Sequence, residues 1–342
     1  VAAPEPGPEV EAAPPALPER LQIGKSGGFF QPAALLQFWA FYDHSETNKR
    51  STARLRRAEI RVKGEIAPKL VAYHIGIDAA KTLAFGTDDE GDLTAHSDTS
   101  LLQDFFITFL SDYADVSLGQ FKTQVSLEGF TSSSKTILPE RSLVSRAYGD
   151  RRDVGIKVEK KLGDHFFYSA GLYNGSGQNR VDSNNEKDLS LRLEVYPVEG
   201  LTLGVAGAKT VGERDDGLAR DRVEGDIRYD ANSFRAEAEY IRAWDGVDDA
   251  GADTTRVQGH GGYVALGYTF IDRIQPVVRF GFRDADTDDD DKDVLKQYAA
   301  GLNYFLRGNE MKLTLSGEYF DPESASERDG MLEVLLAAQV GF

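Results

Sequence analysis

Few residues in this chain are arranged to make or break bonds. Gly24-Lys25-Ser26-Gly27-Gly28 fits the G-x-S-x-G string of a nucleophile elbow, where a serine sits on a sharp strand-to-helix turn. Here a proline-rich stretch precedes the string and a β-patterned run follows it, so the turn has no helix to enter. The same Gly-Lys-Ser would close a phosphate-binding loop only with Gly at position 19, where Glu19 stands. Asp284, Asp286 and Asp288 open like a calcium loop, but Asp289 replaces the required Gly and Leu295 the bidentate Glu. The histidines (His44, His74, His96, His165 and His260) are scattered without ligand spacing, no carboxylate pair stands out for acid–base work, and cysteine is absent. The expectation is no catalytic residue, no cofactor, no metal, and no enzyme.

The remaining chemistry is electrostatic. A net charge of −17 argues against nucleic acid, which is bound through clustered Lys and Arg. Two stretches run against that acidity. Arg54, Arg56, Arg57, Arg61 and Lys63 face one acid, Glu59. Lys122, Lys135, Arg141, Arg146, Arg151 and Arg152 face Glu128, Glu140 and Asp150. Basic side chains gathered in a narrow, low-dielectric passage concentrate anions, and an arginine fork can hold phosphate bidentately. Arg57, Arg61, Lys63, Lys122, Lys135, Arg141, Arg146 and Arg152 are the selectivity candidates. Acids on the same polar faces (Asp78, Glu159, Glu194, Glu237, Glu239, Glu318 and Glu333) would pair with arginines and keep such a passage wet.

What must position these charges is a series of short strands. Half of the twelve prolines fall before Arg20, so residues 1–27 are expected to be a disordered tail. The chain opens on Val1, the expected mark of a processed N-terminus with its signal peptide removed. Sixteen period-2 runs follow, from Gln31–His44 and Leu55–Gly64 to Met311–Phe320 and Met331–Phe342. Phe234, Ala236, Ala238 and Tyr240 alternate with Arg235, Glu237 and Glu239; on the second run Ala58, Ile60 and Val62 alternate with Arg57, Glu59, Arg61 and Lys63. Tight gaps such as Glu65–Lys69, Ser111–Ala114 and Asp230–Ser233 alternate with long polar ones such as Lys81–Ser100, Gly175–Lys187 and Asp245–Gly261. That order is the signature of a transmembrane barrel with short periplasmic turns and long external loops. A mean hydropathy of −0.39 is compatible with it, because only every second residue meets lipid. Aromatics near run ends (Tyr42, Tyr113, Tyr173, Tyr196, Tyr229, Phe270, Tyr304, Phe305, Tyr319 and Phe342) are expected in interfacial girdles. Acidic stretches at Asp88–Asp92, Asp245–Asp253 and Asp284–Asp293 fall in expected external loops.

Three segments resemble the phosphate-selective porin O/P family: GQFKTQVSLEGFTSSSKTILPERSLVSRAY from Gly119 to Tyr148, followed by RRDVGIKVE; RLRRAEIRVKGEIAPKLVAYHIGID from Arg54 to Asp78; and YSAGLYNGSGQN from Tyr168 to Asn179. The resemblance implies a 16-stranded porin, usually a trimer, with a long loop folded into the lumen; the matching loop here is Thr123–Arg151. It also points to basic residues along the path, onto which Lys122 of the GQFK motif and the Arg54–Lys63 hairpin carry over. The alternating last strand ending in Phe342 looks like the signal read by the barrel assembly machinery.

The reading is therefore all-β: a 16-stranded antiparallel transmembrane barrel over residues 28–342, in the bacterial outer membrane among lipid and lipopolysaccharide. It would be a water-filled channel for small hydrophilic solutes, with a preference for anions such as phosphate, assembled as a homotrimer. A plugged structural or receptor barrel and a barrel-borne enzyme stand as alternatives.

Overall fold

The computed structural model describes residues 21–23, 27–45, 49–83, 85–87, 93–95, 101–149, 151–182, 185–211, 219–247, 255–288, 294–323 and 330–342. The tail up to residue 20, Gly24 to Ser26, His96, the acidic stretch Asp88–Asp92 and the outer parts of the other two acidic stretches lie outside these residues. Gly27, at φ 74°, turns the short strand Leu21–Ile23 back onto the strand that opens the barrel, with no helix after it.

Sixteen strands build the wall: β1 Gly28–His44, β2 Lys49–Ala67, β3 Val71–Asp78, β4 Leu102–Phe109, β5 Asp115–Lys122, β6 Arg152–Leu162, β7 Phe166–Tyr173, β8 Lys187–Val195, β9 Leu201–Val211, β10 Arg220–Ala231, β11 Phe234–Val247, β12 Thr255–Tyr268, β13 Ile274–Asp284, β14 Leu295–Arg307, β15 Met311–Pro322 and β16 Met331–Gly341. Every neighbour pair is antiparallel and sequential. β16 then pairs with β1 from Leu332↔His44 to Gly341↔Leu35, and Phe342 exchanges backbone hydrogen bonds with Ala34 at 3.0 and 3.1 Å. The sheet therefore has no free edge, as lipid requires of any spanning strand structure.

The alternation in sequence becomes inside and outside. On β13 Val278 and Phe280 are exposed to lipid, while Val277 and Arg279 are 2% exposed. Hairpin turns close one end tightly. Asn232 and Ser233 both have positive φ, 51° and 68°, the two-residue geometry that matches the twist of paired strands. Connections at the other end are longer; the one from β3 to β4 carries a 3-10 turn, Ala79–Leu83, and a small hairpin of Phe85–Thr87 with Leu93–Ala95.

Two expectations need correction. β2 begins at Lys49 rather than Leu55, and β12 at Thr255 rather than Gly262, because each extends its neighbour's ladder beyond the patterned core. Of the girdle aromatics, Tyr173 and Tyr196 point inward instead. Tyr173 is 1% exposed and packs edge-on against Phe121, while the Tyr196 hydroxyl donates to Glu194 on the inner wall.

Where strands cross closely, glycine is obligatory: a Cβ on Gly155 would lie 2.2 Å from the Leu172 carbonyl oxygen. Gly155→Val should therefore abolish the heat-modifiable folded band on gels of refolded protein; a normal band would show that β6 can move off β7.

Candidate functional site

The connection from β5 to β6 turns into the barrel. Ser126 caps a single helical turn, α1 (Leu127–Phe130), accepting from the Gly129 N–H at 2.9 Å. Ser142 caps α2 (Leu143–Tyr148), accepting from Ser145 N–H at 3.3 Å. Ile137, Leu138, Val144 and Tyr148 of this loop form a buried apolar cluster with Ile241, Ala243, Tyr263, Ala265, Val277 and Ala299 of the inner wall. The wall is cleared of bulk to receive them. A Cβ on Gly301 would come 2.8 Å from Leu138 Cδ2, on Gly267 3.3 Å from Ile137 Cδ1, and on Gly261 3.2 Å from Val144 Cβ.

Polar anchors complete the docking. Asn303 donates to the Ile137 carbonyl at 2.9 Å, Lys312 to Thr136 at 3.1 Å, and Gln37 and Gln339 to Ser133 and Ser134, each at 3.2 Å. Arg279 donates to the Glu140 carbonyl at 2.9 Å and pairs with Glu128 at 3.4 Å. The Arg192 guanidinium lies 4.6 Å over the Phe130 ring while holding Glu194, Glu224 and Asp226. The acids of that side are thus tied up beneath the loop. Burial pushes the Glu128 carboxyl above its usual range despite Arg279.

The opposite balance holds along β2. The register slips between Gln37↔Arg57 and Phe38↔Leu55, leaving Arg56 as an unpaired bulge residue. A bulge shifts the alternation by one, so basic residues of both parities face inward: Arg57 and Arg61 below it, Arg50 and Arg54 above it, and Arg56 at it. Arg54 and Arg56 stack 5.2 and 5.1 Å over Trp39, and Arg50 and Arg54 lie 5.4 and 5.2 Å over Phe41. Trp39 and Phe41 sit with Leu335 and Ala337 in an apolar patch of the inner wall. Such cation–π seating fixes a guanidinium without neutralising it. From the loop, Glu140 reaches Arg56 at 3.1 Å. Burial alone would raise Glu140, but Arg56, Arg57 and Arg146 outweigh it and hold the carboxyl below its usual range.

The eight sequence candidates divide by what they touch. Arg57 is buried, donating to Gln37 Oε1 at 2.6 Å and facing Glu59 at 3.6 Å; Arg61 also pairs with Glu59. Lys122 donates to the Gly129 carbonyl at 2.7 Å, and Arg141 to those of Glu128 and Thr131 at 2.8 and 2.9 Å, so both brace the loop. Arg152 grips Asp104 with two hydrogen bonds, 3.1 and 3.2 Å. Lys63, Lys135 and Arg146 are exposed and have no ion pair among the described residues. Arg54 and Arg56 were not among the eight, although the resemblance places the whole Arg54–Lys63 hairpin along the path; alternation continued back from Arg57 would turn both toward lipid. The signal was present in Arg54-Leu55-Arg56-Arg57, where charges at both parities cannot all face lipid. At the loop's end, burial and the neighbouring Arg220 and Arg222 push Arg151 down to about 10, which leaves it charged at neutral pH. No group of three or more His, Asp or Glu among the described residues is arranged to hold a metal.

A closed sixteen-strand barrel with a long loop docked on its inner wall is the architecture of an outer-membrane porin. The family model for phosphate-selective porins O and P matches residues 34–219, and the chain belongs to that family. Among solved structures, an anion-selective porin from Comamonas acidovorans aligns with TM-score 0.64 and 12% identity, over 92% of this chain and 100% of its own. OmpF of Salmonella typhi, in complex with daunomycin, gives 0.67 and 14% over 93% and 100%. The trimer form of OmpT, an outer membrane protein of Vibrio cholerae, gives 0.60 and 12% over 92% and 99%. No curated protein sequence matches the chain.

Two outcomes test the docking. Leu138→Ala removes a fully buried side chain, worth about 2–5 kcal/mol at such sites, and Gly267→Leu fills the seat of Ile137. Both should raise single-channel conductance or open-channel noise while the barrel still folds; unchanged traces would mean the loop is held by its polar anchors alone. Glu140 adds a pH dependence. Its folded pKa is depressed, so its contribution to docking is present above its ordinary value of about 4.3 and fades as pH falls through the lower folded value. Current should be quiet at neutral pH and flicker only below that ordinary value, whereas Glu140→Gln should flicker throughout.

Proposed function

We propose that this porin passes small hydrophilic solutes by diffusion with a preference for anions, phosphate among them, and that the bulged arginine group of β2 facing α2 sets that preference. The observation that carries this reading is the charge balance around Glu140: Arg54, Arg56, Arg57 and Arg146 all act electrostatically on or with this one carboxylate. The group keeps a surplus of positive charge where the loop meets the wall, while the acids of β8, β10 and β11 are engaged by Arg192, Arg235 and the loop's own N–H groups. An entering anion meets guanidiniums already oriented by Trp39 and Phe41, so little ordering is needed to bind it. Lys63, Lys135 and Arg146 extend the positive path from wall to loop. Arg57, Lys122, Arg141 and Arg152 serve mainly to hold the frame. A homotrimer fits the family, and the trimer form of the Vibrio protein supports it.

Reversal potentials across a salt gradient test the assignment. Arg54→Glu with Arg146→Glu should move the potential clearly toward cations, and Lys63→Glu less so. Arg152→Gln should leave selectivity near the wild-type value and lower stability instead. If the Arg54/Arg146 pair leaves the potential where it was, selectivity is set elsewhere in the lumen.

A further inference from the structure

We propose that the seat of α1 is a proton-held clamp. Carboxyls of β10 and β11 share protons while the loop sits on them; losing those protons at alkaline pH lifts the loop, widening the passage and turning it toward cations. The turn toward cations rests on the anion reading above; the widening does not. The register of the sheet gathers the acids. Glu194, Gly204, Asp226, Glu239 and Tyr263 are successive partners along one rung from β8 to β12, on the inward face, and Glu224 shares that face two residues before Asp226. Asp226 and Glu239 therefore stand directly opposite each other, where two like charges work against strand pairing. A Cβ on Gly204 would lie 2.3 Å from Asp226 Oδ2 and 2.6 Å from Arg192 Nη2, so the glycine makes room for the group.

One guanidinium serves this group. Arg192 reaches Glu194 at 2.7 Å, Glu224 at 3.0 Å and Asp226 at 2.6 Å. Glu239 has no ion pair among the described residues; it accepts from the Glu128 N–H at 3.1 Å, as Glu224 does from the Leu127 N–H at 3.3 Å. Arg192 and the four acids are each 8% exposed or less, and Asp226 Oδ1, Glu239 Oε1 and the Tyr263 hydroxyl are buried without a hydrogen-bond partner among the described residues. The other charges facing the seat are already committed. Arg235 holds Glu237 at 3.0 Å, Arg279 holds Glu128 at 3.4 Å and Glu318 at 3.2 Å, and Arg222 holds Asp245 at 2.6 Å. Lys122 of β5 and Arg141 of the loop donate to carbonyls of α1. Arg228, two residues beyond Asp226, forms no ion pair with it among the described residues. Dry carboxylates packed against one another are costly, and two that approach closely cannot both ionise. A shared proton cancels one charge and supplies a donor for the unpartnered oxygens.

Lifting the loop lets water reach these acids, so the docked state binds the more protons and weakens as pH rises. Glu140 acts in the opposite direction, on the acid side. Full-length protein in planar bilayers would be compared at about pH 7.5 and about pH 9, above the ordinary histidine range and below that of lysine. At the higher pH the wild type should show a larger mean single-channel conductance and a reversal potential shifted toward cations. Glu224→Gln/Glu239→Gln keeps the shape of the protonated groups and should lose both changes. Asp226→Asn should lose part of them, and it serves if the double variant lacks the heat-modifiable band. Equal wild-type conductance at the two pH values, or variants that follow the wild type, would overturn the clamp. A wild type that widens yet shows no anion preference at the lower pH keeps the clamp and removes only the anion reading.

Discussion

In hydrocarbon a peptide group has no water to turn to, so every spanning N–H and C=O must find another strand. The seam of β16 on β1 is where that demand is finally met, and everything else in the molecule presupposes it. Only once the ring is closed does the polar side of each strand enclose water rather than meet lipid. The cross-strand glycines belong to the same constraint, since Gly64, Gly119 and Gly155 stand where a side chain would strike a neighbouring carbonyl oxygen.

Closure creates a lumen, and the loop between β5 and β6 divides it by charge. On one side the loop presses against a wall pared to Gly and Ala at Gly261, Ala265, Gly267, Ala299 and Gly301, covering paired acids as it does so. On the other side it meets β2 through Glu140, where arginines outnumber acids. One segment thus masks negative charge and displays positive charge. This is how a chain with a net charge of −17 can present a basic passage.

Much of the barrel was legible in the sequence. Period-2 alternation and the order of tight and long gaps placed all sixteen strands, because lipid on one face and water on the other leave a clear mark on side-chain choice. The site was less legible, for physical reasons. Lys122, Arg141 and Arg152 carry the charge of a selectivity filter, but the hydrogen-bond partners that engage them come from distant segments and leave no local mark in the sequence. Strict alternation back from Arg57 would turn Arg54 and Arg56 toward lipid; a single unpaired residue changes the phase, and in sequence it shows only as charges at both parities. The docking wall was hidden for the opposite reason: small residues at inward positions carry no charge or bulk to draw the eye, and their meaning depends on Ile137, Leu138 and Val144 arriving from far along the chain.

The extra residue at position 56 makes chain length itself a determinant of what the lumen displays. Deleting it alone would leave Leu55 facing the acyl chains and Arg54 and Arg50 facing the water, because Leu55 and Arg57 already lie opposite consecutive residues of β1; only the guanidinium that reaches Glu140 would go. A residue gained or lost at this one place in one strand therefore adds or removes a single throat charge while every neighbouring residue of the strand keeps its face.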